Sequence, residues 1–191
     1  SQGAVLQYAE RLLEAGKELV VLSVGALLRP EGRRILERYR GRVHVPSGAI
    51  AGLDAVRALA LAGVEEVLLV TRKHPSKLMD EPYVRERGLR LGDLAEPTVI
   101  FEGPAEEAVR AFPRTLNVAA ALSIYAGRQA RVRVVADPRA ARNVHEVFVR
   151  SRAGELRVTV ENVPHPDNPR TSYLAALSAV ALLRDLCAAS P

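Results

Sequence analysis

The sequence predicts an α/β class: the tail of a parallel α/β domain over residues 1–50, followed by an α+β domain with a mostly antiparallel sheet over residues 51–191. Three observations carry this expectation. Helical and short strand patterns alternate through the first fifty residues, and each strand pattern ends in a Gly/Ser-rich segment. Three strand-like runs then follow one another late in the chain with no helix between them. The last two are joined by Ser151-Arg152-Ala153-Gly154, a good hairpin turn.

Taken in order, Val5–Leu13 forms an amphipathic helix, with Ser1 placed to cap it and Gly16 to stop it. Leu19-Val20-Val21-Leu22 is a short buried strand running into Ser23-Val24-Gly25-Ala26. Pro30 opens a second helix that extends through Tyr39 and closes at Gly41. Val43-His44-Val45 is the next strand, ending at Pro46-Ser47-Gly48-Ala49. Ligands of open parallel sheets lie beyond the carboxyl ends of the strands, where Ser23–Ala26 and Ser47–Ala49 would sit. The domain boundary falls near Ser47–Gly52. Leu53–Leu61 is helical and Glu66–Thr71 is a strand, whereas Lys73–Leu94, broken by Pro75, Pro82, Gly88 and Gly92, is expected to be a long loop or flap. Val99–Phe101 is a brief strand, and Pro104–Phe112 and Leu116–Tyr125 are helices split by Pro113. Val132–Ala136, Val144–Arg150 and Leu156–Glu161 are strands, and a final helix over Thr171–Leu186 is free to pack back on the first domain.

Composition narrows the function. The net charge of +5 comes from Arg scattered along the chain, aromatics are only 4% and Trp is absent, so a nucleic-acid partner is not expected. A basic surface of this kind attracts small anions. Apolar runs such as Val67–Val70 are too short to span a bilayer, and the start has no charged segment leading into an apolar one. The single Cys187, near the end of the last helix, excludes an intramolecular disulfide and fits a cytoplasmic location.

No G-x-G occurs, and His44, His74, His145 and His165 are isolated, so neither a dinucleotide fingerprint nor a metal site is read here. His145 stands out. Within Asn143-Val144-His145-Glu146-Val147-Phe148-Val149, alternation puts it on the inward face of Val147 and Val149. A hydrogen-bonded core histidine and a general base both fit that position. Asn117, inside the first turn of a small-residue helix, can cap it or touch a ligand at the helix N-terminus. Thr171 and Ser172 lie where a capping motif opens the last helix.

Several segments together resemble the L-aspartate dehydrogenases. They are Ser47-Gly48-Ala49-Ile50-Ala51-Gly52-Leu53-Asp54-Ala55, Phe101-Glu102-Gly103, Phe112-Pro113, Leu116-Asn117-Val118-Ala119-Ala120, Asn143-Val144-His145-Glu146 and the stretch from Asp167 to Ser178. Ala51 replaces the first glycine of a family G-G pair. The resemblance implies oxidation of L-aspartate by NAD or NADP to iminoaspartate, which hydrolyses to oxaloacetate and ammonia or feeds NAD biosynthesis. It makes His145 the catalytic histidine. Ser23, Gly25, Ala26, Ser47, Gly48, Ala49 and Asn117 become cofactor contacts, and Ser47, Thr171 and Ser172 substrate contacts. It also implies that residues 1–50 are the remainder of a Rossmann-like domain whose cofactor fingerprint lies upstream of Ser1. The exposed antiparallel sheet suits a homodimer. The alternative is a cofactor-less homologue, acting as a dimerising or regulatory subunit or as a dicarboxylate-binding protein.

Overall fold

The computed structural model describes residues 1–188. Helix α1 (Gln2–Glu14) is capped by Ser1, whose Oγ accepts from the Ala4 N–H at 3.3 Å. Strand β1 (Leu19–Val20) pairs in parallel with β2 (Val43–His44), and helix α2 (Pro30–Arg38) connects them. β1 is shorter than the apolar run Leu19–Leu22. Beyond Val21 the chain turns into a 3-10 helix over Val24–Leu28, all five residues of which are buried. Helix α2 packs backbone to backbone on that turn. A Cβ at Gly32 would lie 2.1 Å from the Ala26 carbonyl oxygen, so only glycine permits the approach.

Helix α3 (Leu53–Leu61) leads into the main sheet of β3 (Val64–Lys73), β4 (Thr98–Pro104), β5 (Arg131–Ala136), β6 (Asn143–Ser151) and β7 (Gly154–Asn162). Its spatial order is β4-β5-β3-β6-β7. The β3–β5 pairing is parallel and the other three are antiparallel, as the fold class required. The β6–β7 hairpin closes on Ser151 paired with Gly154. Helices α3, α5 (Ala105–Ala111) and α6 (Asn117–Ala126) cover one face of the sheet. Alternation supplies that face: Val67 and Leu69 of β3, Val132 and Val134 of β5, and Val147 and Val149 of β6 join one buried core with Leu27, Ile50, Phe112 and Leu122. At about 25 cal/mol per Å² of buried apolar surface, this shared core is the main force holding the layers together.

Two expectations are corrected. The segment Lys73–Leu94 is not an open flap. It folds into a short helix α4 (Pro82–Glu86) flanked by 3-10 turns at Pro75–Lys77 and Leu91–Asp93. Leu78, Val84 and Leu91 are buried, and Tyr83 packs against Phe101 and Phe112. Its prolines start turns rather than preventing packing. Likewise, Thr171 does not open the last helix. Strand β8 (Pro164–His165) pairs with β9 (Asn168–Ser172), and helix α7 (Tyr173–Ala188) begins after that hairpin. The Tyr173 N–H donates to the Val163 carbonyl at 2.9 Å, which draws the chain into the hairpin and displaces the helix start. Among the described residues, no helix is long and apolar enough to cross a membrane.

Candidate active site

A cavity of about 360 Å³ opens where the two sheets meet. The last inward position of β3, Lys73, reaches it. Thr71 and Lys73 follow Val67 and Leu69 on the same face, and Thr71 lies directly across from His145 of β6. His145 is 1% exposed, and its Nδ1 is 3.0 Å from the Thr71 hydroxyl oxygen. A hydroxyl both donates and accepts, so this bond survives in either imidazole tautomer and leaves Nε2 for the cavity. Burial, reinforced by the charge of Lys73, pulls the His145 pKa down to about 3. The ring is therefore neutral, a competent proton acceptor, throughout the neutral range.

Lys73 is 4% exposed and lines the same cavity. Burial lowers its pKa to about 8; the nearby Glu81 carboxylate works against that shift, and Lys77 adds to it. Arg114 stands at the exposed rim, and among the described residues no acidic side chain lines the cavity. The nearest compensating charge, Glu81, is buried behind the wall. Its pKa is raised by burial, against hydrogen bonds from the Thr115 hydroxyl and the Arg114 backbone and the charge of Lys73. The cavity thus presents a neutral base beside two cations.

Long-range hydrogen bonds hold the remaining walls. Gly48, at a left-handed φ of 67°, turns the chain after β2, and its N–H donates to Ser178 Oγ of α7 at 3.0 Å. Asn162 of β7 donates to the Ala49 carbonyl at 3.0 Å, and Tyr125 donates to the Val45 carbonyl at 2.8 Å. Asn117 Oδ1 accepts from the Gly25 N–H at 3.0 Å, tying α6 to the turn after β1. On the opposite side, Lys77 donates to Asn143 Oδ1, and Asn143 Nδ2 donates to Ser172 Oγ.

The structure therefore brings His145, Ser23, Ser47, Gly48, Ala49, Asn117, Thr171 and Ser172 around one cavity. Gly25 and Ala26 are the exceptions. The Gly25 amide is engaged by Asn117, Ala26 is fully buried, and neither lines the cavity. Thr71, Lys73, Arg114 and Thr115 went unnoticed in the sequence. For Lys73 a signal existed, since it extends the inward series Val67, Leu69, Thr71 by one more step of two.

The family model "Aspartate dehydrogenase, C-terminal" matches residues 54–186, which include the whole five-stranded sheet. This chain belongs to the aspartate dehydrogenase family. The L-aspartate dehydrogenase of Methanosarcina acetivorans is 47% identical, over 97% of this chain and 71% of that protein. That of Methanocaldococcus jannaschii is 45% identical, over 96% of this chain and 69% of that protein. The crystal structure of aspartate dehydrogenase from Thermotoga maritima superposes with a TM-score of 0.76 at 30% identity, covering 100% of this chain and 73% of that one. Within the aspartate dehydrogenase family match lie His145, Lys73, Asn117, Thr171 and Ser172, whereas Ser23 and Ser47–Ala49 precede it.

Proposed function

We propose that this chain carries the catalytic part of an NAD(P)-dependent L-aspartate dehydrogenase. The reaction converts L-aspartate and NAD(P)⁺ to iminoaspartate, NAD(P)H and a proton; the imine then hydrolyses to oxaloacetate and ammonia or enters NAD biosynthesis. The observation that carries this reading is a neutral, buried His145 beside Lys73 and Arg114 in a cavity that no carboxylate among the described residues lines. Such a site attracts a dicarboxylate and keeps a proton acceptor ready beside it. In this reading Nε2 of His145 takes a proton from the substrate ammonium, or later from the water that attacks the imine. Thr71 holds the ring through Nδ1, and the hydroxyls of Thr171 and Ser172 stand on the substrate side.

The dinucleotide fits the opposite wall. Ser23 and Ser47–Ala49 follow the carboxyl ends of the parallel strands β1 and β2, and both border the cavity. Ser23, Ser47 and Asn117 would hold the nicotinamide end, and bound NAD(P)⁺ supplies the hydride acceptor. A homodimer is supported by the outer sheet face, where Leu68, Val70 and Phe148 remain only partly buried.

The test is L-aspartate-dependent formation of reduced cofactor by the protein. Turnover with L-aspartate and none with L-alanine is expected. Dicarboxylate binding without turnover on either nucleotide would instead identify a binding protein.

A further inference from the structure

The Lys73 side chain is more than nine-tenths buried, yet it takes part in no hydrogen bond and no ion pair within 4.0 Å among the described residues. Its carboxylate neighbour Glu81 is close enough to act on it through space but is held by Thr115 instead. One Glu81 oxygen, Oε2, is itself buried without a partner. A structural ion pair would close that gap, because a buried ammonium left without a partner is costly. The position does not demand a cation either. It is the last inward step of a strand whose preceding inward residues are Val67, Leu69 and Thr71. The ammonium is therefore kept at the cavity wall with its hydrogen-bonding capacity unspent.

We propose that Lys73 binds the inner carboxylate of a dicarboxylic substrate while Arg114, at the rim, takes the outer one, so that this pair selects dicarboxylates over monocarboxylic amino acids. The proposal rests on the dehydrogenase reading above and adds its specificity determinant. An incoming carboxylate supplies the acceptor that Lys73 lacks, and the charge-assisted bond it makes in a dry cavity is of the strong kind. His145, neutral in the free protein, does not compete for that anion. The depressed Lys73 pKa agrees with an ammonium waiting for a partner.

The probe is succinate, which has both carboxylates and no reactive amine, titrated calorimetrically into the polypeptide and its Lys73→Met variant. The variant is expected to bind about 30-fold more weakly or worse, as loss of one charge-assisted bond predicts. Equal affinity in a variant that melts normally overturns the Lys73 assignment and leaves the dehydrogenase reading standing. Absence of succinate and L-aspartate binding by the wild type, together with absence of turnover, overturns that reading and this proposal with it. Should Lys73→Met fail to fold, the wild type provides the test, because the chain has only three lysines, Lys17, Lys73 and Lys77. With ε-carbon-labelled lysine, succinate is expected to raise the Lys73 titration midpoint by about one pH unit or more. An unmoved midpoint at saturating succinate overturns the proposal.

Discussion

Replacing His145 with Asn is expected to lower kcat/KM for L-aspartate by about 10²–10⁴-fold, the usual contribution of a positioned acid–base group. Asparagine can still hydrogen-bond to Thr71 from across the β3–β6 pairing, so the wall should persist. What disappears is the only imidazole that lines the cavity among the described residues. Succinate affinity should stay within a few-fold of wild type, because the cations Lys73 and Arg114 remain. Steady-state kinetics and calorimetry on the same preparation check both halves. A variant with wild-type kcat/KM removes His145 from the chemistry, and one that loses binding and turnover together makes it a structural residue.

The second large effect is on acid stability. His145 has a folded pKa of about 3, against an ordinary histidine value of 6.5. Between those values the unfolded chain takes up a proton that the folded chain refuses. Stability is therefore fully present above about pH 6.5 and falls as pH drops toward 3, by at most about 1.4 kcal/mol per pH unit from this residue. Over that window the loss amounts to several kcal/mol. Glu81, whose pKa is raised, acts in the opposite sense, since its folded form accepts a proton more readily than its unfolded form. The comparison of wild type with His145→Asn cancels that contribution. Denaturant melts from pH 7 to pH 4 should show a steeper loss in the wild type than in the variant. Parallel curves would mean that the ring is solvated and ordinary.

His145 was legible because strand periodicity is a local signal. An imidazole on the face of Val147 and Val149 has to be buried, and burial fixes its neutrality. The element order was legible for the same reason, and Leu53–Leu61 was read with its observed bounds. Lys73 was hidden by its own charge. By pattern it opens a polar loop, although β3 continues through it to pair with β5. Glu81 could not be found at all, since its hydroxyl partner Thr115 lies 34 residues away and its burial depends on packing between segments. Gly25 and Ala26 do not line the cavity, because the 3-10 turn buries Gly25 against Asn117 and Ala26 against α2, a contact that no local pattern encodes. Thr171 and Ser172 reach the cavity, but from a strand rather than from a helix start. The backbone pairing of β9 with β8 outweighs the capping pattern there.

In the proposed reaction this cavity directs removal of the Cα hydrogen of L-aspartate as hydride. Turnover of L-aspartate deuterated at Cα with NAD⁺ or NADP⁺ tests this. Deuterium is expected in the reduced nicotinamide, and His145→Asn is expected to slow its transfer by the same roughly 10²–10⁴-fold. Deuterium released to water, or retained in the product while L-aspartate is consumed, would contradict it.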